Sequence, residues 1–281
     1  MQYLVDGLLI GCVYGLAAMG MTLIWGVMDV INLAHGILIT LGSFGVYLLA
    51  TSLGINPYLA LLIAGAVGLL AGMGIYKIAI QKVLDTSHLS TLLATFSVNM
   101  ILLGLATQAF STNPRSLDID LGSITIGSVT VQVTRLLAAL VSVLIAAGLT
   151  LFLHRSTPGK YIRAITDNRA AAELVGIPSQ RMLAISFGLG TLLAVMAGGL
   201  IATFFPFTVL SGDAYQLKSF VIVVLGGLGN PIGALLGGLV LGVLEGILPA
   251  FMSTSWVPVI EFVLFVVILL VKPTGLFGVK K

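Results

Sequence analysis

Long apolar runs, punctuated by Gly, Pro and short polar stretches, fill most of the chain. Read against that punctuation, they predict helical spans near residues 4–24, 36–50, 57–80, 89–110, 132–153 and 182–205. The last third is broken more finely. A short apolar run covers 217–227, Gly226 to Gly233 interrupt it, and further runs cover 231–248 and 256–271. A membrane-spanning helix needs roughly 20 mainly apolar residues. The pattern therefore predicts an all-α fold, a polytopic transmembrane helical bundle of eight or nine spans, depending on whether the short run crosses or only re-enters. The stretches between runs are too short for a separate soluble unit, so residues 1–281 read as one transmembrane domain.

Composition strengthens this reading. Hydrophobic residues make up 58% and charged ones 8%, with a mean hydropathy of +1.16, against about 25% charged residues in soluble domains. The 34 glycines suit close helix contacts in lipid, where small residues let backbones approach. Met1 to Asp6 carry no basic residue and no clear cleavage site follows, so a removable signal peptide is not expected. The single cysteine, Cys12, has no intrachain disulfide partner and reads as a small core residue. Basic residues set the orientation, because cytoplasmic loops collect Lys and Arg. With nine crossings, Lys77, Lys82, Arg155, Lys160, Arg163, Arg169, Arg181, Lys272, Lys280 and Lys281 share one side, expected to be the cytoplasm. Arg115, Arg135 and Lys218 then lie outside, near Asp118, Asp120 and Asp213.

The longest polar stretch, from Arg155 to Arg181, has the composition of a soluble helix-turn-helix. Thr166 or Asp167 can cap a helix over 168–175, and Gly176 and Pro178 can stop it. Ala170, Ala171, Ala172, Leu174 and Val175 would give it a small, smooth face. Such a helix suits docking into a cleft of another protein; the plainer reading is a connector lying on anionic headgroups.

Four segments carry a family resemblance. RAITDNRAAAELVGIPSQR and the apolar helix after it, INLAHG from Ile31 to Gly36, GGLGNPIGALLGGLVLGVLE from Gly226 to Glu245, and VKPTGLFG from Val271 to Gly278 resemble, in order, segments of the permeases of branched-chain amino acid importers. Leu33, Asn230-Pro231 and Lys272 depart from the family's usual residues, which bears on the solute carried, since relatives carry urea, amides or other amino acids. The resemblance implies a transport subunit of the bacterial inner membrane, not an enzyme. Separate ATPase subunits, holding the ATP and magnesium, would grip a cytoplasmic coupling element at Arg163, Asp167, Arg169, Ala171, Glu173, Gly176 and Ile177 and drive alternating access. It also implies a second related permease subunit or second copy, and a periplasmic solute-binding protein whose acids Arg115, Arg135 or Lys218 could pair. No phosphate-binding glycine-lysine loop occurs here, this chain itself needs no cofactor, and nothing points to nucleic acid.

Polar residues inside the spans are the candidate pathway. Asn32 and His35 interrupt the apolar pattern after the first span. Irregular backbone at membrane depth survives only inside protein or beside a watery cavity, so they either line a pathway or satisfy freed backbone groups. Asn99 and Gln108 suggest a polar stripe on the fourth span. Glu245 and Glu261, near the outer ends of their helices, suggest either interfacial positions or an acidic external mouth attracting an ammonium group. No His, Cys and acidic set has metal-ligand spacing, and no cluster has catalytic spacing. An ion-coupled carrier would need central acids and inverted repeats; a passive channel, for urea or amides, would leave the polar loop without a role.

Overall fold

Residues 1–117, 119, 121–127, 129–272 and 275–277 are described by the computed structural model, with backbone alone at Ile126. In order they form α1 (Gln2–Met28), α2 (His35–Leu53), α3 (Pro57–Ile75) with a π-helical turn (Tyr76–Ile80), α4 (His88–Phe110), β1 (Ser123–Ile126), β2 (Val129–Gln132), α5 (Val133–Arg155), α6 (Thr157–Leu174), α7 (Ser179–Ile201), α8 (Ser211–Gly226), α9 (Pro231–Ile247) and α10 (Val257–Val271). Asp118, Asp120, Lys280 and Lys281, and Pro273, Thr274 and Gly278 of the last motif, lie outside the described residues.

Helix starts follow local chemistry. Asn56 accepts from the Tyr58 amide with Pro57 at the first helical position, and Asn230 accepts from the Gly233 amide with Pro231 likewise placed. Among the described residues, eight helices are long and apolar enough to cross a membrane when the 3-10 turns Leu248–Ala250 and Thr254–Trp256 are taken with α9 and α10; the 16-residue α8 is not.

Two helices make the core. α1 is apolar all round and buried over most of Gly11 to Ile24, as a helix surrounded by others must be. Its 27 residues, at about 1.5 Å each, exceed the roughly 30 Å hydrocarbon thickness. It packs antiparallel to α9 along a glycine seam: Gly7 and Gly11 face Gly242, and Gly15 faces Gly238, so closely that a Cβ at any of them would strike the opposing backbone. α7 is buried from Gly190 to Ile201 except at Leu192. It packs antiparallel to α3, and Val195 sits between Gly42 of α2 and Gly68 of α3.

Contacts between helix ends fix the sense of each traversal. Gly26, late in α1, meets Gly229, and the Leu276 amide bonds the Leu225 carbonyl at 2.8 Å. Arg169 pairs with Asp85, and Arg163 Nε donates to the Leu153 carbonyl. The loops holding Lys77, Lys82, Arg155, Lys160, Arg181 and Lys272 therefore gather at one end, here termed the basic end. Gln2 lies at the opposite end, where its side chain bonds the Thr130 backbone twice. The short run is settled by its neighbours: α8 lies antiparallel to α9, with Gly226 against Gly233 and Lys218 at Glu245. It runs as a ninth traversal.

The all-α bundle holds, with two additions. In the linker after α4, β1 and β2 pair antiparallel with Ile126 opposite Val129. The segment from Ser123 to Gln132 is rich in β-branched residues, and Gly127, at a φ of 62°, supplies the positive dihedral a tight hairpin requires. In the polar stretch a longer helical segment precedes the expected one. α6 begins at Thr157, capped by Ser156, and bends at Asn168, whose φ and ψ are −160° and 102°. Asn168, not Thr166 or Asp167, caps the second segment, its side chain accepting from the Ala171 amide at 2.9 Å.

Candidate functional site

α1 ends in a left-handed Asp29 with φ 52°, and residues 29–34 fold back so that α2 starts beside the middle of α1. His35 Nε2 donates to the Ala17 carbonyl at 2.9 Å, which leaves Nδ1 as an acceptor with no partner. Asn32 Oδ1 accepts from the Ala34 amide at 3.1 Å, while its Nδ2 has no partner. Gln216 of α8 completes the group, accepting from the Gly36 amide at 2.5 Å and donating to the Asn32 carbonyl at 3.2 Å. The first turns of α2 and α8 meet where Gly36 touches Gly212, a contact with no room for a side chain. Two positive helix ends thus converge on a free amide donor and a free imidazole acceptor. Asn32 and His35 are 1% and 0% exposed, so the junction is closed in this conformation.

A second polar group lies between α1, α8, α9 and α10. Lys218 Nζ is 2.5 Å from Glu245 and 3.7 Å from Glu261, and sits 4.7 Å from the centre of the Tyr14 ring. Tyr14 donates to Glu245 at 3.3 Å. This corrects two expectations. Glu245 and Glu261 face a lysine of their own chain rather than an open mouth, Glu261 being 2% exposed, and Lys218 is committed inside the fold rather than free for a partner's acids. The cause is α8, which lies against α1 and α9 and turns Lys218 inward. Arg135 is likewise paired, 3.5 Å from Asp6, and Arg115 lies over the Tyr47 ring at 5.8 Å.

Asn99 and Gln108 do not form one stripe. Nine residues apart, they stand about half a turn out of phase on an α-helix. Asn99 continues the inward side marked by Thr91 and Thr95, while Gln108 is exposed. Neither hydrogen-bonds the Asn32 side chain, whose Nδ2 has no partner. At the end opposite the basic one, a cavity of about 660 Å³ opens between the α4–α5 linker and the start of the α7–α8 linker, lined among others by Ser116, Gln132, Thr134, Thr203 and Phe205. Its described lining supplies hydroxyl, amide, aromatic and aliphatic groups.

At the basic end, the second segment of α6 stands clear of the bundle. Leu174 and Val175 are 89% and 77% exposed, and Asp167, Ala171 and Glu173 are exposed beside them. Ala172 alone of the alanines turns inward, buried against the core. Gly176, at φ 85°, ends the segment, and the Ile177 amide returns to the Ala172 carbonyl at 3.0 Å. Arg169 is 2.7 Å from Asp85 and 3.1 Å from Glu173, and hydrogen bonding to Asp85 raises its pKa further above the ordinary guanidinium value. Arg163 turns away from this surface into a pocket beside α5. The segment is thus braced on the loop after α3 and on α5.

Sequence reasoning missed Gln216, the inward role of Lys218, and the docking of the C-terminal motif. Asn230 Nδ2 donates to the Phe277 carbonyl at 3.0 Å, so two segments singled out separately in the sequence are contact partners.

The family described as branched-chain amino acid transport system, permease component, matches residues 3–271. Among curated proteins, the high-affinity branched-chain amino acid transport system permease protein LivH of Escherichia coli is 30% identical over 99% of this chain and 95% of its own length. BraD of Pseudomonas aeruginosa, a permease protein of the same description, is 29% identical with the same coverage. The probable LivH of Methanocaldococcus jannaschii is 27% identical over 94% of this chain and 88% of its own length. A family match from residue 3 to residue 271, with a relative 30% identical over nearly the whole chain, leaves one assignment: the chain belongs to the permease component family of branched-chain amino acid transport systems.

Proposed function

We propose that this chain is the membrane-spanning permease subunit of an ATP-driven importer of branched-chain amino acids, set in a bacterial inner membrane with its basic end in the cytoplasm. The observation that carries the reading is α6. Two large apolar side chains, Leu174 and Val175, project from a polar, basic segment outside the bundle, where exposure of that size calls for a protein partner. A separate ATPase subunit takes them up, and ATP and magnesium bind there, on the partner.

The bracing of α6 gives the stroke a path. Its ties run through Arg169 to Asp85 after α3, and through Ser156 and Arg163 to the end of α5. α3 packs on α7 and α5 on α1, the two core helices. Closure of an ATPase pair would shift α6 and, through these ties, rock the core against α2 and α8. Opening their junction would present Asn32 Nδ2, His35 Nδ1 and the helix N-termini to the solute, a set suited to the carboxylate and ammonium of an amino acid. A solute-binding protein delivers at the opposite end, and a second permease, a copy or a relative, completes the pathway.

The test is co-purification from membranes carrying the whole operating set, with uptake of labelled leucine into proteoliposomes. Leu174→Asp with Val175→Asp, and separately Ala171→Trp, should abolish ATPase association and uptake while membrane insertion persists. Undiminished ATPase-driven uptake in these variants would overturn the reading of α6; uptake without any ATPase would overturn the importer.

A further inference from the structure

α5 and α9 both pack on α1 but part from each other, leaving a lateral groove of about 390 Å³ whose lining is mostly apolar, with Met19, Val143, Ala147 and Leu235 among its walls. It runs into a second cavity of about 270 Å³ at the basic end, and Thr150, His154 and Ile232 line both. The second cavity has a different character. Arg163 of α6 reaches into it, held by its Nε bond to the Leu153 carbonyl, and its two terminal nitrogens have no partner among the described residues. Thr22 borders it, its Oγ1 buried behind the wall without a hydrogen bond. His154 is present with Nδ1 bonded to the Thr150 carbonyl, and among the described residues no acidic one lines either cavity.

We propose that this pair of cavities binds one anionic phospholipid, its phosphate held by Arg163 and an acyl chain lying along the groove over Met19 and Ala147. The arrangement matches an amphiphile: a cationic, hydroxyl-bearing pocket at the level of the headgroups, continuous with an apolar trough facing the bilayer. Basic pockets between membrane helices on the cytoplasmic side are the usual seats of acidic headgroups. A free phosphate would use the pocket and leave the groove idle. The bound lipid touches α1, α5, the first half of α6 and the start of α9 at once, so it would stiffen the joint through which α6 moves. The inference rests on the orientation proposed above and not on the solute carried; sided labelling of the loops tests that orientation independently of lipid binding.

The experiment is native mass spectrometry of the full-length chain released from nanodiscs of equal phosphatidylglycerol and phosphatidylethanolamine. The wild type should retain one phosphatidylglycerol per chain, Arg163→Gln should lower that retention about fivefold, and Ala147→Phe, which fills the groove and leaves the pocket intact, should also lose it. Excess inorganic phosphate should not displace the lipid. Equal retention of both lipids by wild type and variants overturns the proposal. So does displacement by inorganic phosphate, or a second copy of the chain seated in the groove, seen as a dimer that Ala147→Phe dissolves.

Discussion

Gln216 shows how much one side chain holds in this protein. It satisfies a buried amide at Gly36 and a buried carbonyl at Asn32, and a buried polar group left unpaired costs about 1–3 kcal/mol. Gln216→Leu should therefore lower the stability of the purified chain by about 2–4 kcal/mol in thermal unfolding, whereas Gln216→Glu keeps the acceptor for Gly36 and should lose less. An equal loss in both would show that the Asn32 carbonyl is the partner that matters. Lys218 is subject to the same reasoning with charge added. Lys218→Met strands Glu245 and Glu261 and should cost about 3–5 kcal/mol, and Lys218→Met with Glu261→Gln should recover part of it, because breaking a buried pair is worse than removing it. Neither residue announced its role in the sequence. Gln216 is bonded to positions 180 and 184 residues away, and no local pattern encodes a contact of that range. Asn32 and His35 were legible because a polar interruption between apolar runs is a local signal.

Local signals also decide which elements could be read in advance. The expected run 57–80 is the helix found, α3 with its π-helical turn, because the Asn56-Pro57 start and the polar stop after Ile80 are both written in adjacent residues. The hairpin was passed over since its β-branched alternation sits beside an apolar helix and was absorbed into a link. The cap of the second α6 segment falls one or two residues past the expected Thr166 or Asp167 for a physical reason: Thr166, Asp167 and Asn168 can all cap, and only the conformation shows that Thr166 instead bonds the Ile162 carbonyl within its own helix. Asn168→Ala should remove that cap, worth about 1 kcal/mol, and let α6 straighten; in proteoliposomes the solute moved per ATP should fall while ATPase association persists. Unchanged stoichiometry would mean the bend has no part in coupling. The α1–α9 seam is written locally in glycines four apart, Gly238, Gly242 and Gly246, although nothing local names the partner helix. Gly238→Val should force the two helices apart and reduce accumulation of folded chain in the membrane, read by fluorescence-detected size exclusion; a normal profile would contradict the packing.

For the whole molecule, the question left open by hydrophobic lengths is parity. A 16-residue helix spans about 24 Å, short of the roughly 30 Å core, so length alone cannot say whether α8 crosses. Its contacts can. Gly226 meets Gly233, and Leu225 receives the Leu276 amide at the end where Gly26 meets Gly229, so the turn after α8 belongs with the basic loops. Sided cysteine labelling turns this into a measurement. With Cys12 replaced by Ala, Ser87→Cys before α4 and Ser123→Cys after it serve as references for the two faces, both positions being exposed. A membrane-impermeant thiol reagent should label Ser123→Cys in intact cells and Ser87→Cys only after permeabilisation, in keeping with Lys and Arg on the cytoplasmic side. Leu228→Cys, in the exposed turn between α8 and α9, then decides the count. Nine traversals place it with Ser87→Cys; a re-entrant α8 would place it with Ser123→Cys, turn the C-terminal motif outward, and separate it from the ATPase that the permease reading requires beside α6.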